Sequence, residues 1–172
     1  ILMAFLRASL RAATHIGYAT NISMSKVNYL LYESIERNQF VTAFHAVLDA
    51  STMTLSYSNA GHNPPLLINA RGETRFIEHG EQPLGMFQGT RYHRYHLLLE
   101  PGDVLVLYTD GATEAASPAD EEFGRDRLAQ AVKDHYEQPA REMIARLQLA
   151  ILEWTDQAGA NDDVTFFIIK AL

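Results

Sequence analysis

The sequence predicts an α+β fold: a four-layer α-β-β-α sandwich of two antiparallel sheets flanked by helix pairs. Three observations predict it. Hydrophobic residues switch between helical and strand period along the chain. Short apolar runs come in pairs joined by turn residues, the pattern of antiparallel hairpins. Two runs, Val104–Tyr108 and Val164–Ile169, are apolar without alternation and so need cover on both faces. A second sheet on one side and a helix on the other supplies that cover.

Residues 1–15 read as a helix, with Leu2, Phe5, Leu6, Leu10 and Ala13 on its inner face and Gly17 as its stop. A second helix is expected from an N-cap at Ser23 or Ser25 to about Asn38, with Val27, Leu30, Leu31, Ser34 and Ile35 facing inward. Phe40–Leu48 reads as a strand, residues 49–52 as a turn. Met53, Leu55 and Tyr57 alternate with Thr54, Ser56 and Ser58 as a half-buried partner strand. Residues 59–65 form a loop by composition. Leu66–Ile68 and Thr74–Ile77 flank a turn at 70–72. Pro83-Leu84-Gly85 marks a bend, and Tyr92–Leu99 reads as a strand. Pro101-Gly102-Asp103 then leads into Val104–Tyr108. Two helices follow, near 124–136 and 139–155, the second opened by Pro139.

The chain has 172 residues and a net charge of −7, with 14 Lys and Arg against 21 Asp and Glu. That acidity argues against a nucleic-acid partner, since the basic residues show no cluster. Cysteine is absent, which removes disulfides, thiolate zinc sites and cysteine nucleophiles. A reducing, cytoplasmic setting agrees with this. No run of about 18 apolar residues predicts a membrane span. Arg7 and Arg11 interrupt the apolar opening, so it does not read as a signal peptide.

Two acidic positions stand out by place. Asp110 ends the apolar run 104–108 and precedes Gly111. Asp162 and Asp163 precede the run that starts at Val164. If those strands are antiparallel neighbours, the acids meet at one rim of the sheet. Carboxylates gathered there repel unless a cation or proton lies between them, and Mg²⁺ and Mn²⁺ favour such oxygen donors. Gly111 would let backbone or substrate approach closely. Asp-Gly is also an ordinary turn pair, and that reading stands beside the metal one.

Phe40–Leu172 resembles the PPM-type (protein phosphatase 2C superfamily) metal-dependent serine/threonine phosphatases. It is most similar to the bacterial branch of stage II sporulation protein E and the sigma-B regulator phosphatases. The resemblance is carried by Phe40-Val41-Thr42-Ala43, the run Tyr57 to Pro65, Pro83-Leu84-Gly85, Pro101-Gly102-Asp103, Tyr108-Thr109-Asp110-Gly111-Ala112-Thr113-Glu114-Ala115, Phe123-Gly124 and Asp162-Asp163-Val164-Thr165. It implies that residues 1–172 are a single phosphatase domain. It implies Asp110 and Asp162 as metal ligands, with Gly111, Asp163 and Glu114 around them. It also implies Mn²⁺ or Mg²⁺, two ions in the complete domain, and hydrolysis of phosphoserine or phosphothreonine by a metal-activated water. The family's other carboxylate ligands lie on strands before the first core helix, and this sequence starts after them. The resemblance therefore implies a domain incomplete at its N-terminus, lacking its first strands, with an incomplete or empty site and weak or no activity. The implied partners are a phosphorylated protein of the anti-anti-sigma factor type and an upstream sensor or receiver domain in the parent. The trimmed sheets leave room for a homodimer. The alternative is a catalytically silent phosphatase-like module that docks a regulatory partner.

Other residues weigh less. His62, with Asn59, reads as shaping its loop rather than as a catalytic acid. His93 and His96 fall on opposite faces of a strand and are rejected as a metal pair. His15, His45, His79 and His135 stand alone. Arg125 and Arg127 read as a solvated helix start rather than a phosphate site. The sequon Asn21-Ile22-Ser23 carries no weight without a secretion signal.

Overall fold

The computed structural model describes residues 2–36, 38–160 and 162–172. The elements are α1 (Leu2–His15), α2 (Thr20–Ser34), β1 (Ala43–Asp49), β2 (Thr54–Ala60), β3 (Leu66–Ile68), β4 (Thr74–Phe76), β5 (Tyr95–Leu98), β6 (Val104–Tyr108), a 3-10 turn (Asp110–Ala112), α3 (Gly124–Lys133), α4 (Ala140–Trp154) and β7 (Phe166–Lys170). The strands form two antiparallel sheets, ordered β1-β2-β5 and β4-β3-β6-β7. The α+β class with two antiparallel sheets is thus as expected. The chain divides into two compact units, Ile1–His62 with His79–Leu98, and Asn63–Glu78 with Leu99–Leu172.

In the first unit α1 buries Leu6 and Ala13, with Leu2, Phe5 and Leu10 half-buried beside them. Gly17 closes the helix at φ +83°. Its N–H donates to the Thr14 carbonyl, and the Tyr18 N–H reaches back to Ala13 at 3.2 Å. That closure needs a left-handed residue. α2 departs from expectation. It starts at Thr20 after Ala19, with no side-chain cap, and ends where Ile35 turns extended. Ser23 is buried inside it rather than capping it. Its inner stripe is Met24, Val27, Asn28 and Leu31, whereas Leu30 is 46 % exposed and Ser34 is exposed.

The β1–β2 hairpin pairs Ala43 with Ala60 through Asp49 with Thr54. It begins after Phe40, which is exposed, and Val41, which exchanges two hydrogen bonds with Leu84. Ser58, expected on a polar face, is buried. Its hydroxyl donates to the His93 carbonyl at 2.7 Å and lies 3.0 Å from Thr20 Oγ1. β5 covers only Tyr95–Leu98, because Tyr92 is drawn off the sheet. Its hydroxyl lies 3.0 Å from the Gln82 carbonyl and 3.3 Å from Asn28 Oδ1.

In the second unit β6 lies between β3 and β7. Val104, Val106 and Tyr108 pack with Leu128 and Val132 of α3 and with Met143, Leu147 and Ile151 of α4. Leu105 on the other face is buried as well, so the absence of alternation in β6 is explained. β7 is different. It starts at Phe166, has one strand neighbour, and leaves Phe167 61 % exposed. Its apolar run therefore marks an edge rather than cover on both faces. Lys170 blunts that edge, its ammonium donating to the Tyr136 and Gln138 carbonyls at 2.8 and 2.6 Å.

Candidate metal centre

The register of β6 and β7 decides where the two acids fall. Tyr108 pairs with Phe166, and one step beyond, the Thr109 N–H donates to the Thr165 carbonyl at 3.2 Å. The end of β6 and the start of β7 thus share one rim, as the antiparallel argument requires. Thr109 fastens the rim. Its hydroxyl donates to the Asp163 carbonyl at 2.8 Å and accepts the Thr165 N–H at 2.9 Å.

Asp110 opens the 3-10 turn directly after Thr109. The Thr113 and Glu114 N–H groups both donate to its carbonyl at 2.8 Å, which tightens the turn. Gly111 is buried against the facing segment. A Cβ there would lie 2.8 Å from the Asp163 carbonyl oxygen and 3.0 Å from that of Asp162, closer than real Cβ contacts come. Only glycine lets the 110–111 backbone meet the 162–163 backbone at this distance. The glycine anticipated for close approach is used for approach between these two chain segments.

Both carboxylates accept one local hydrogen bond. The Gly111 N–H donates to Asp110 Oδ1 at 3.0 Å, and the Asp163 N–H to Asp162 Oδ1 at 2.7 Å. Among the described residues, no ion pair engages either side chain. Both are exposed. Among the described residues no group of three or more His, Cys, Asp or Glu gathers to hold a metal. Asp110 and Asp162 offer exposed carboxylate oxygens on two segments that meet, the donor type taken by a hard cation such as Mg²⁺. Asp163 contributes its carbonyl to the Thr109 lock. Glu114 is exposed, and its N–H belongs to the turn.

The Arg125 side chain is taken up by an ion pair with Glu78 and sits 3.9 Å over the Phe76 ring. Arg127 sits 3.9 Å over Trp154. Burial pushes the Tyr108 hydroxyl up, with Arg125 opposing it and Glu78 adding to it. In the first unit, Asn59 brackets the His62 backbone, its Nδ2 donating to the His62 carbonyl and its Oδ1 accepting the His62 N–H. That is the loop-shaping geometry expected. His93 pairs with Glu81 at 2.9 Å and His96 lies 3.0 Å from Ser56 Oγ, so the two imidazoles have separate partners. Thr109 was read only as part of a motif. A hydroxyl between a buried strand and an acid was the available signal for its role.

The sequence model described as stage II sporulation protein E (SpoIIE) matches residues 1–172. The chain is 30 % identical over 142 residues to protein IcfG of Synechocystis sp., covering 83 % of this chain and 22 % of that protein. It is 24 % identical over 172 residues to phosphoserine phosphatase RsbU of Bacillus subtilis, covering 98 % of this chain and 50 % of that one. The chain therefore spans half or less of these curated relatives. Among solved structures, the SiaA-PP2C domain of Pseudomonas aeruginosa superposes with a TM-score of 0.81 at 20 % identity, over 98 % of this chain and 67 % of that one. The phosphatase domain of SpoIIE from Bacillus subtilis, presoaked with Mn, matches at 0.66 and 14 % identity, over 96 % and 72 %. RsbX in complex with magnesium matches at 0.66 and 13 %, over 96 % and 70 %.

Proposed function

The chain belongs to the stage II sporulation protein E (SpoIIE) family, and from that membership we propose that residues 1–172 form one metal-dependent phosphoserine/phosphothreonine phosphatase domain. The meeting of Asp110-Gly111 with Asp162-Asp163 at one end of β6 and β7 carries the reading. In it, Asp110 and Asp162 hold Mn²⁺ or Mg²⁺. Thr109 fixes the spacing of the two segments, and Gly111 keeps them close. A divalent cation bound there supplies positive charge to phosphoryl oxygens and lowers the pKa of a water. The magnesium in RsbX and the Mn presoak of SpoIIE support the choice of ion.

The substrate class in this proposal is a phosphorylated regulatory protein of the anti-anti-sigma factor type, supported by the kinship to phosphoserine phosphatase RsbU. A sensor or receiver domain in the parent, a cytoplasmic setting and the layered α-β-β-α arrangement belong to the same proposal. Among the described residues no helix is long and apolar enough to cross a membrane.

A second reading, a silent phosphatase-like docking module, is favoured by one observation: the described residues bring no third ligating side chain to the pair. The test is hydrolysis of p-nitrophenyl phosphate and a phosphoserine protein by the parent protein, with Mn²⁺, Mg²⁺ or chelator, beside Mn²⁺ titration of this chain. The phosphatase reading expects cation-dependent turnover that falls at least about a hundredfold in Asp110→Ala or Asp162→Ala. Turnover indifferent to chelator, or surviving both substitutions, defeats it. Absence of turnover in a folded parent selects the docking module.

A further inference from the structure

Between the Asp110 turn and α3 the chain doubles back on itself. The Thr113 carbonyl accepts the Gly124 N–H at 2.8 Å, and the Ala115 carbonyl accepts the Phe123 N–H at 2.8 Å. Ala116 and Glu122 form an antiparallel bridge, and the Ser117 N–H donates to the Glu121 carbonyl at 2.8 Å. Residues 121–124 thus back the segment that runs on from Asp110. What backs 121–124 in turn is a side chain of α4. Trp154 is the single tryptophan of the sequence and the last residue of that helix. Its indole N–H donates to the Glu121 carbonyl at 3.0 Å. Its ring meets the buried Phe123 ring edge-on, with centroids 6.2 Å apart and planes at 72°. Arg127, stacked over the indole, donates from Nη1 to the Glu122 and Phe123 carbonyls at 3.2 Å each. Three consecutive carbonyls, of Glu121, Glu122 and Phe123, therefore end on Trp154 and Arg127. From the same Trp154 the sequence leads out of α4 to Asp162. All of these residues belong to the second unit.

We infer that Trp154, with Arg127, is a positioning residue for the candidate metal centre: through 121–124 it holds the turn that carries Asp110, from the point where the chain departs for Asp162. For the purpose of that turn this rests on the phosphatase reading above. Core packing accounts for an aromatic ring against Phe123. It does not account for an indole N–H and a guanidinium that both donate to the backbone of the segment behind the Asp110 turn. Glu121 and Glu122 are exposed, so water competes for their carbonyls and the net worth of each bond to folding is small. Their effect is on where 121–124 sits. Asp110 and Asp162 are held locally by one hydrogen bond each, so the spacing of the two carboxylates depends on what fixes their backbones. Thr109 and Gly111 do this from the strand side. Trp154 does it from the helix side, and a cation held by few side chains is sensitive to such spacing.

The test reads two quantities on this chain: amide hydrogen exchange, and Mn²⁺ affinity from the spin resonance of the free ion. Trp154→Phe keeps a ring under Arg127 and removes the N–H, whereas Trp154→Ala removes both. Exchange at Thr113, Glu114, Phe123 and Gly124 should quicken about fivefold in Trp154→Phe, the worth of one hydrogen bond, and further in Trp154→Ala. The amides of β6 should exchange as in the parent. The Mn²⁺ dissociation constant should rise by a similar factor. Met143→Ala is the control for a merely structural role, since it opens the same core at the other end of α4, about three turns away. It should lower the melting temperature and leave Mn²⁺ affinity where it was. Parent-like exchange and affinity in both Trp154 variants overturn the inference. So does quickened exchange with parent-like affinity, or an equal loss of affinity in Met143→Ala. Mn²⁺ uptake that Asp110→Ala does not lower overturns the metal reading and this inference with it, and that variant identifies which of the two has failed.

Discussion

The Thr109 hydroxyl donates to the Asp163 carbonyl at 2.8 Å while accepting the Thr165 N–H at 2.9 Å, so one side chain ties the exit of β6 to the approach of β7. Thr109→Val keeps the shape and removes both bonds. The Thr165 amide loses its partner, and the expected cost is about 1–3 kcal/mol, read by denaturant unfolding. Mn²⁺ titration should weaken in parallel, although both carboxylates remain. Thr109→Ser keeps the hydroxyl and should restore binding more than stability. A Thr109→Val protein that melts and binds cation like its parent removes Thr109 from the site.

Gly111 is the steric counterpart of that lock. In Gly111→Ala the new methyl meets two backbone carbonyl oxygens, at 2.8 and 3.0 Å, and neither can rotate away. The 162–163 segment must retreat. Overpacking of this kind costs about 1–3 kcal/mol. Turnover should fall with stability, whereas Asp110→Asn should cost turnover and leave the melt nearly unchanged, because its side chain is exposed. Comparing the two variants separates spacing from ligation. A Gly111→Ala variant with unaltered melt and turnover would show that the close approach is dispensable.

What could be read from sequence follows from how local each signal is. β6 is legible because a fully apolar five-residue strand followed by Thr-Asp-Gly announces both its burial and its rim. The hairpins were legible from their alternation and turns. On α2 the sequence places Leu30 and Leu31 alike on the inner face because they are chemically alike, and only packing separates them: Leu31, with Val27, is buried and Leu30 is not. The role of Asn28 is not legible locally, since nothing near it in sequence says that its amide has partners some sixty positions away. The edge position of β7 depends on strand order, a property of the whole sheet that an apolar run such as 164–169 does not encode. At the candidate site, the acids were visible as residue types, while the Thr109 bridge became visible only with the register.

Asn28 supplies a third prediction. Its buried amide donates to the Phe87 and Gln88 carbonyls at 2.9 and 3.2 Å, and its Oδ1 accepts the Gly85 N–H at 2.8 Å. One side chain of α2 thus holds the 85–88 loop. Asn28→Ala strands these groups, and the expected loss is on the order of 3 kcal/mol. Phe87 is 56 % exposed, so chymotrypsin reports on the loop directly. Cleavage after Phe87 should accelerate in the variant under conditions where the rest of the chain stays intact. Unchanged cleavage would mean that other contacts set the loop.

The last prediction concerns alkaline pH. Burial, with the Glu81 charge adding to it, pushes the Tyr92 hydroxyl up to about 12. Burial also raises Tyr95 and Tyr108. An unfolded tyrosine loses its proton near pH 10. Between about 10 and 12 the unfolded chain has therefore released a proton that the native Tyr92 still holds. Stability from this group is whole below about pH 10 and drains away as pH rises through about 12, an effect of order 2 kcal/mol. Tyr92→Phe forfeits the hydroxyl contacts to Gln82 and Asn28, so it should be less stable at neutral pH by about 1 kcal/mol. Its stability should then fall less steeply than the parent's between pH 10 and 12, the remaining slope belonging to Tyr95 and Tyr108. Urea midpoints measured across that range decide it: parallel curves for the two proteins would show that the Tyr92 proton is not what the native state retains.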